Sequence, residues 1–134
     1  VIIKQRSAPG VVGRTDLVGS VDGSDCIIVD DMIDTAGTLC AAANELRQFG
    51  AKRVFAFATH GLFNGPAGER IESSVLENVI VANTIPLRDE LQAKTKKIRQ
   101  LSVGKLLSVA IHSCHSRESV SHLFDANAGA RLLA

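Results

Sequence analysis

The sequence predicts an α/β protein: a mainly parallel, open sheet flanked by helices. Three observations carry that prediction. Short continuous apolar runs recur at Cys26–Val29, at "RVFAFAT" over 53–59 and at "NVIVAN" over 78–83, each the length of a buried strand. Between the first two, the apolar period changes to that of a helix. The composition is 46% hydrophobic with five Phe, no Tyr and no Trp, so the core is aliphatic, as suits a parallel sheet buried on both faces.

In chain order, Val1 to Lys4 reads as the end of a strand, and "RSAPGVVG" as a Pro/Gly loop. Residues 15–29 are compatible with two strands around the Asp22–Gly23 turn, the second of them, Cys26–Val29, central in the sheet. Leu39, Ala42, Ala43, Leu46 and Phe49 then fall on one helical stripe that Gly50 terminates. The unit from 26 to 59 is thus strand, loop, helix, strand. "GPAGERIESS" suggests a short helix and "KIRQLSV" a shorter strand. A final helix from Val103 to His115 is expected to bury Val103, Leu106, Leu107, Ala110, Ile111 and Cys114 on one face. The tail "ANAGARLLA" has no strong period.

At 134 residues the chain is expected to be a single domain, 1–134. A net charge of +1 predicts neither a nucleic acid nor an anionic membrane as partner, and the longest apolar runs are too short to span a bilayer. The three cysteines, at 26, 40 and 114, have no metal-ligand spacing and cannot all pair, so reduced thiols in the cytoplasm are expected. No Met opens the chain, and "VIIK" begins mid-strand, so the expectation is a piece of a longer protein.

The chemistry concentrates in "CIIVDDMIDTAGTLC". Asp30 and Asp31 stand at the carboxyl end of a strand, where open α/β sheets bind their ligands. The following "TAGT" opens a helix whose unpaired amides and dipole favour an anion. Gly37 permits close backbone approach, and Thr35 and Thr38 offer hydroxyls. Carboxylates beside a phosphate would repel it, so they must contact hydroxyls or a cation. A sugar phosphate supplies the first, and Mg²⁺ carried by a nucleotide the second. A mere helix cap at Asp34 or Thr35 leaves the density of the block unexplained. No later strand ends in the aspartate a phosphoacceptor site needs, and neither G-x-x-x-x-G-K-[ST] nor G-x-G-x-x-G occurs.

"VDDMIDTAGT" resembles the phosphoribosyl-binding loop of the type I phosphoribosyltransferase superfamily, in the spelling of the ribose-phosphate diphosphokinase family. "KQR" at 4–6, "THGLFNGPAGERI", "VIVANTIP", "LSVGKLL" and "ESVSHLF" resemble that family's later segments in order, so the likeness spans nearly the whole chain. It implies a phosphoribosyltransferase-like fold and the C-terminal half of a two-domain enzyme. Such an enzyme transfers the β,γ-diphosphoryl group of ATP to ribose 5-phosphate with Mg²⁺, its metal and ATP ligands lying mainly in the other half. By the same resemblance Lys4 and Arg6 are catalytic, and Arg6, Asp30, Asp31, Asp34, Thr35, Ala36, Gly37 and Thr38 bind ribose 5-phosphate. Asp31 points away from Asp30 along the strand, which leaves it between contacting the sugar and ordering the turn. Ser119, Ser121 and Phe124 match part of a regulatory phosphate and ADP site; the alternative is a core position for Phe124. The resemblance also implies a homo-oligomer, typically a hexamer, and an inactive isolated half. A non-catalytic regulatory relative and a type I phosphoribosyltransferase remain open.

Other chemistry-bearing residues have weaker claims. His60 ends a strand and could line the site or merely order a loop. His112, His115 and Cys114 would make a metal site only if a core-facing thiol turned outward. "KTKKIR" lacks aromatic partners for nucleic acid. Cys40, early in the phosphate helix, is open to a lowered pKa but fits a buried spectator better.

Overall fold

In a computed structural model of the chain, residues 2–4, 15–17 and 19–125 are described, with side chains from residue 19 onward. The apolar runs become four parallel strands: β3 Asp25–Ile33, β4 Arg53–Gly61, β5 Leu76–Ala82 and β6 Ile98–Leu101, ordered β3-β4-β5-β6. The connections carry helices α1 Gly37–Gln48, α2 Ala67–Ser73 and α3 Asp89–Lys94. Beyond β6 come α4 Gly104–His115 and a 3₁₀ turn, Ser121–Phe124. Two short strands, β1 Ile2–Lys4 and β2 Thr15–Leu17, pair antiparallel with each other. The α/β class and the parallel sheet are as the sequence predicts.

Burial alternates along the strands because successive side chains face opposite sides of a sheet. Val54, Ala56 and Ala58 on β4 and Val79 and Val81 on β5 are buried. They meet Leu39, Ala43 and Leu46 of α1 and Ile71 of α2 in one core. Each such large aliphatic side chain contributes about 1.5–3 kcal/mol of apolar burial. Phe63, in the loop after β4, enters the same core in a left-handed conformation (φ 51). Its ring lies where a Cβ at position 61 would stand, which explains the glycine there.

The structure corrects several expectations. The turn at Asp22–Gly23 forms, with Ser24 N–H donating to Val21 O at 3.0 Å. Its flanking strands do not pair, however: β2 joins β1, and β3 joins β4 in parallel. A turn signal fixes a reversal of direction, not the partner that each strand finds. β3 is therefore an edge strand of the four-stranded sheet, not a central one. Ile27 and Val29 on the face away from the helices are 66% and 74% exposed. Phe49 lies at the end of α1 and is exposed, outside the stripe that buries Leu39, Ala42, Ala43 and Leu46.

Within one residue α4 spans the predicted helix, but its expected apolar face is open. Leu106, Leu107 and Ile111 are exposed, as is Cys114, and the buried residue of the helix is Ser113. α3 has no counterpart in the apolar pattern of the sequence, since its charged stretch buries only Leu91. The loop "RSAPGVVG" and the tail "ANAGARLLA" lie outside the described residues.

Glu72 ties α2 to the turn before β6. Its carboxylate accepts from the Thr95 hydroxyl at 2.7 Å and the Lys96 amide at 3.2 Å. The Thr95 bond, with the Lys96 amide second, holds the Glu72 carboxyl below the usual range. A carboxyl with a depressed folded-state pKa stabilises above its unfolded value and loses that contribution as pH falls through the folded one. Glu72→Gln is therefore expected to be less stable than the parent at neutral pH, the difference vanishing as urea titrations are carried into acid. Ile71→Ala should cost about 2–5 kcal/mol in the same assay, since it opens a core cavity. Ile27→Ala should stay within about 0.5 kcal/mol.

Candidate functional site

Parallel pairing brings the carboxyl ends of β3 and β4 to one rim. Asp30 pairs with Ala58 and Met32 with His60 across the two strands. At the end of β3 the chain turns sharply into α1. Ala36 makes that turn in the left-handed region (φ 58, ψ 7), a conformation costing a residue with a Cβ roughly 1–3 kcal/mol. Its methyl is only 5% exposed and belongs to the core, so packing opposes the strain.

The turn is held from outside as well. Asn64, after β4, donates from Nδ2 to Asp34 Oδ1 at 2.9 Å and from its amide to Asp34 O at 3.1 Å. The amides of Leu62 and Phe63 both donate to Ile33 O, at 2.9 and 3.2 Å. From α2, the Arg70 guanidinium donates to Thr35 O at 3.0 Å. A Cβ on Gly37 would stand 3.2 Å from that guanidinium, so the glycine is what lets Arg70 close over the turn. Neither Asn64 nor Arg70 was singled out in the sequence. They lie thirty and thirty-five residues from their partners, and only the pairing of β3 with β4 brings them together.

The first helical bond of α1 runs from the Cys40 amide to Ala36 O at 3.0 Å. The amides of Gly37, Thr38 and Leu39 accordingly have no carbonyl one turn back. No acidic residue occupies that first turn, and no side chain caps it. The turn therefore presents donors at the positive end of a helix dipole. Thr35 and Thr38 are exposed beside it, and Ala36 is buried, contributing main chain.

Acceptors gather on the strand side. Asp30 and Asp31 are exposed, and Asp30 Oδ1 accepts the Asp31 amide at 3.0 Å, which orients the Asp30 carboxylate. The structure thus brings Asp30 and the 34–38 turn to the same rim, whereas Asp31 shares only its amide with Asp30 and, by strand alternation, lies on the opposite face. Lys4 lies in β1 with its side chain outside the described part, and Arg6 lies outside the described residues. Among the described residues no three of His, Cys, Asp and Glu come together as a metal site.

At the far end of the chain, Ser119 Oγ donates to Ser121 Oγ at 2.9 Å and accepts the Ser121 amide at 3.1 Å. Phe124 is 86% exposed, which removes the core alternative for that residue. Cys40 is half-buried. Burial pushes its thiol up, outweighing the lowering effect of Ser74, Arg70 and Lys97.

No described helix is long and apolar enough to cross a membrane. In comparisons with known proteins, the family described as the phosphoribosyl synthetase-associated domain matches residues 5–125. The ribose-phosphate pyrophosphokinase of Vibrio parahaemolyticus is 47% identical over 125 residues, which is 93% of this chain and 40% of that protein. Its counterpart in Shewanella oneidensis is 48% identical over 124 residues, 92% of this chain and 39% of that protein. The crystal structure of phosphoribosylpyrophosphate synthetase from Mycobacterium smegmatis superposes with a TM-score of 0.72 at 38% identity, over 78% of this chain and 34% of that one. The chain thus spans about 40% of the length of the curated relatives it matches.

The raised thiol of Cys40 has a direct readout. Under limiting iodoacetamide near neutral pH, Cys114, which is exposed, is expected to be alkylated well before Cys40, as peptide mass mapping would show.

Proposed function

The chain belongs to the phosphoribosyl synthetase-associated domain family, and from that premise we propose that it is the ribose 5-phosphate-binding, C-terminal half of a ribose-phosphate diphosphokinase. The observation that carries the reading is the division of the rim: free helix amides at Gly37–Leu39 on one side, the Asp30 carboxylate on the other. Amide donors suit the dianionic 5-phosphate, and carboxylates suit sugar hydroxyls. A single small molecule carrying both kinds of group meets both halves of the rim.

In the proposed reaction the anomeric oxygen of ribose 5-phosphate attacks the β-phosphorus of ATP. The bond from that phosphorus to the bridging oxygen breaks, AMP leaves with the electron pair, and the hydroxyl proton passes to solvent or a nearby base. Negative charge builds on the leaving oxygen and the transferred group, so rate enhancement comes chiefly from positioning and electrostatics. The assigned task of Lys4 and Arg6 is to offset that charge, Arg6 by two-pronged contact and Lys4 as a point charge. Asp30 takes ribose hydroxyls, and Asp34 to Thr38 enclose the phosphate. Asp31, whose amide is used in fixing Asp30, has an ordering role.

ATP recognition is assigned to the part of the relatives' length that this chain does not span. Mg²⁺ would arrive with the nucleotide and neutralise its phosphates. The described residues offer no three-ligand set for it, and no step above runs through it. A cytoplasmic homo-oligomer acting in nucleotide biosynthesis is the corresponding setting, and Ser119, Ser121 and Phe124 are proposed as part of an effector site in it.

Calorimetric titration tests the reading. Ribose 5-phosphate is expected to bind the chain, with inorganic phosphate as a weaker competitor. Asp30→Ala should weaken the sugar phosphate by about ten- to a hundredfold and leave inorganic phosphate nearly unchanged. Failure of the parent chain to bind ribose 5-phosphate would overturn it. With ATP, Mg²⁺ and ribose 5-phosphate the 134-residue chain should show no turnover; AMP production by it would refute the placing of the ATP site elsewhere.

A further inference from the structure

His60 closes β4 at the same rim, and its hydrogen bonds determine which ring nitrogen is free. Its Nδ1 lies 2.9 Å from Thr84 Oγ1, and that hydroxyl lies 3.1 Å from Thr59 O. A carbonyl oxygen can only accept, and a threonine hydroxyl has one proton to give. If the proton went to Nδ1, two bare acceptors, Thr84 Oγ1 and Thr59 O, would face each other at hydrogen-bond distance. Both contacts are satisfied only when Thr84 donates to Thr59 O and His60 donates from Nδ1–H to Thr84 Oγ1. The neutral imidazole is thereby held as the Nδ1–H tautomer, with Nε2 carrying an open lone pair.

The position of His60 gives that lone pair a use. Since Asp30 pairs with Ala58 and Met32 with His60, Asp30 and His60 lie on one face of neighbouring strands, two residues apart along them. Strand spacing and rise put their Cα atoms roughly 8 Å apart, a gap that a five-carbon sugar between the two side chains can bridge. Both residues are exposed, and nothing else among the described residues bonds to Nε2. The two polar side chains so aligned, Asp30 and His60 through Nε2, are both acceptors, which suits a ligand with hydroxyl donors.

We propose that His60 is a further recognition residue of this site: its Nε2 accepts a hydrogen bond from a hydroxyl of the bound sugar phosphate. Thr84 is a positioning residue that acts by fixing the tautomer. The inference rests on the ribose 5-phosphate reading and adds to it a group that reads the sugar and not the phosphate.

Two amides separate the functions of the two ring nitrogens. Asn at position 60 can still donate to Thr84 in place of Nδ1 but has nothing at the Nε2 position, whereas Gln can place a carbonyl oxygen there. His60→Asn is expected to weaken ribose 5-phosphate roughly five- to tenfold, to leave inorganic phosphate unchanged, and to lose more than His60→Gln. Imidazole ¹⁵N shifts should report Nδ1–H in the parent chain and a mixture of tautomers in Thr84→Val. Amide spectra of each variant establish that it is folded.

Dominance of Nε2–H in the parent would overturn the inference. So would an unchanged ribose 5-phosphate affinity in His60→Asn, or a loss shared equally by inorganic phosphate. If the parent binds neither ligand, the functional reading falls and this inference with it. If the parent binds and His60→Asn binds equally well, this inference falls alone.

Discussion

The parallel register of β3 on β4 is the constraint on which the site depends. It aligns Asp30 with Ala58 and Met32 with His60, and so decides which side chains reach the rim together. It also delivers the loop after β4 to the turn after β3, where Asn64 and the amides of Leu62 and Phe63 bind the carbonyls and carboxylate of residues 33 and 34. A shift of one residue would turn Asp30 to the opposite face and detach this scaffold, because side chains alternate along a strand. The antiparallel hairpin that the Asp22–Gly23 turn suggests would have built no rim at all.

Strain and support are balanced within five residues. The left-handed Ala36 is unfavourable in isolation, yet it is enclosed by the core and flanked by anchored neighbours, Asp34 through Asn64 and Thr35 through Arg70. A turn fixed in this way would meet the proposed phosphate with its amides already aligned, so little ordering would remain to be done on binding. Gly37 serves the same end by leaving space for the Arg70 guanidinium.

What was legible in the sequence was whatever short-range pattern controls. The strands at 26–29, 53–59 and 78–83, the stripe of α1 and the acidic block with its turn all came from residues close along the chain. α3 leaves no such pattern because Asp89–Lys94 is short and charged, its one buried side chain, Leu91, too sparse to make a period. The helix of Leu106, Leu107 and Ile111 was found but not its environment, since a periodic stripe says which face is apolar and not whether anything lies against it. Asn64, Arg70 and the His60–Thr84 pair were beyond sequence patterning for another reason: each takes its meaning from a partner on a different element.

One face of the sheet bears helices, and on the other Ile27, Val29, Phe57 and Leu101 meet water. Apolar side chains already exposed in the folded chain add little to the surface that unfolding releases, and the heat-capacity increment scales with that surface. A smaller increment bends the curve of stability against temperature less sharply.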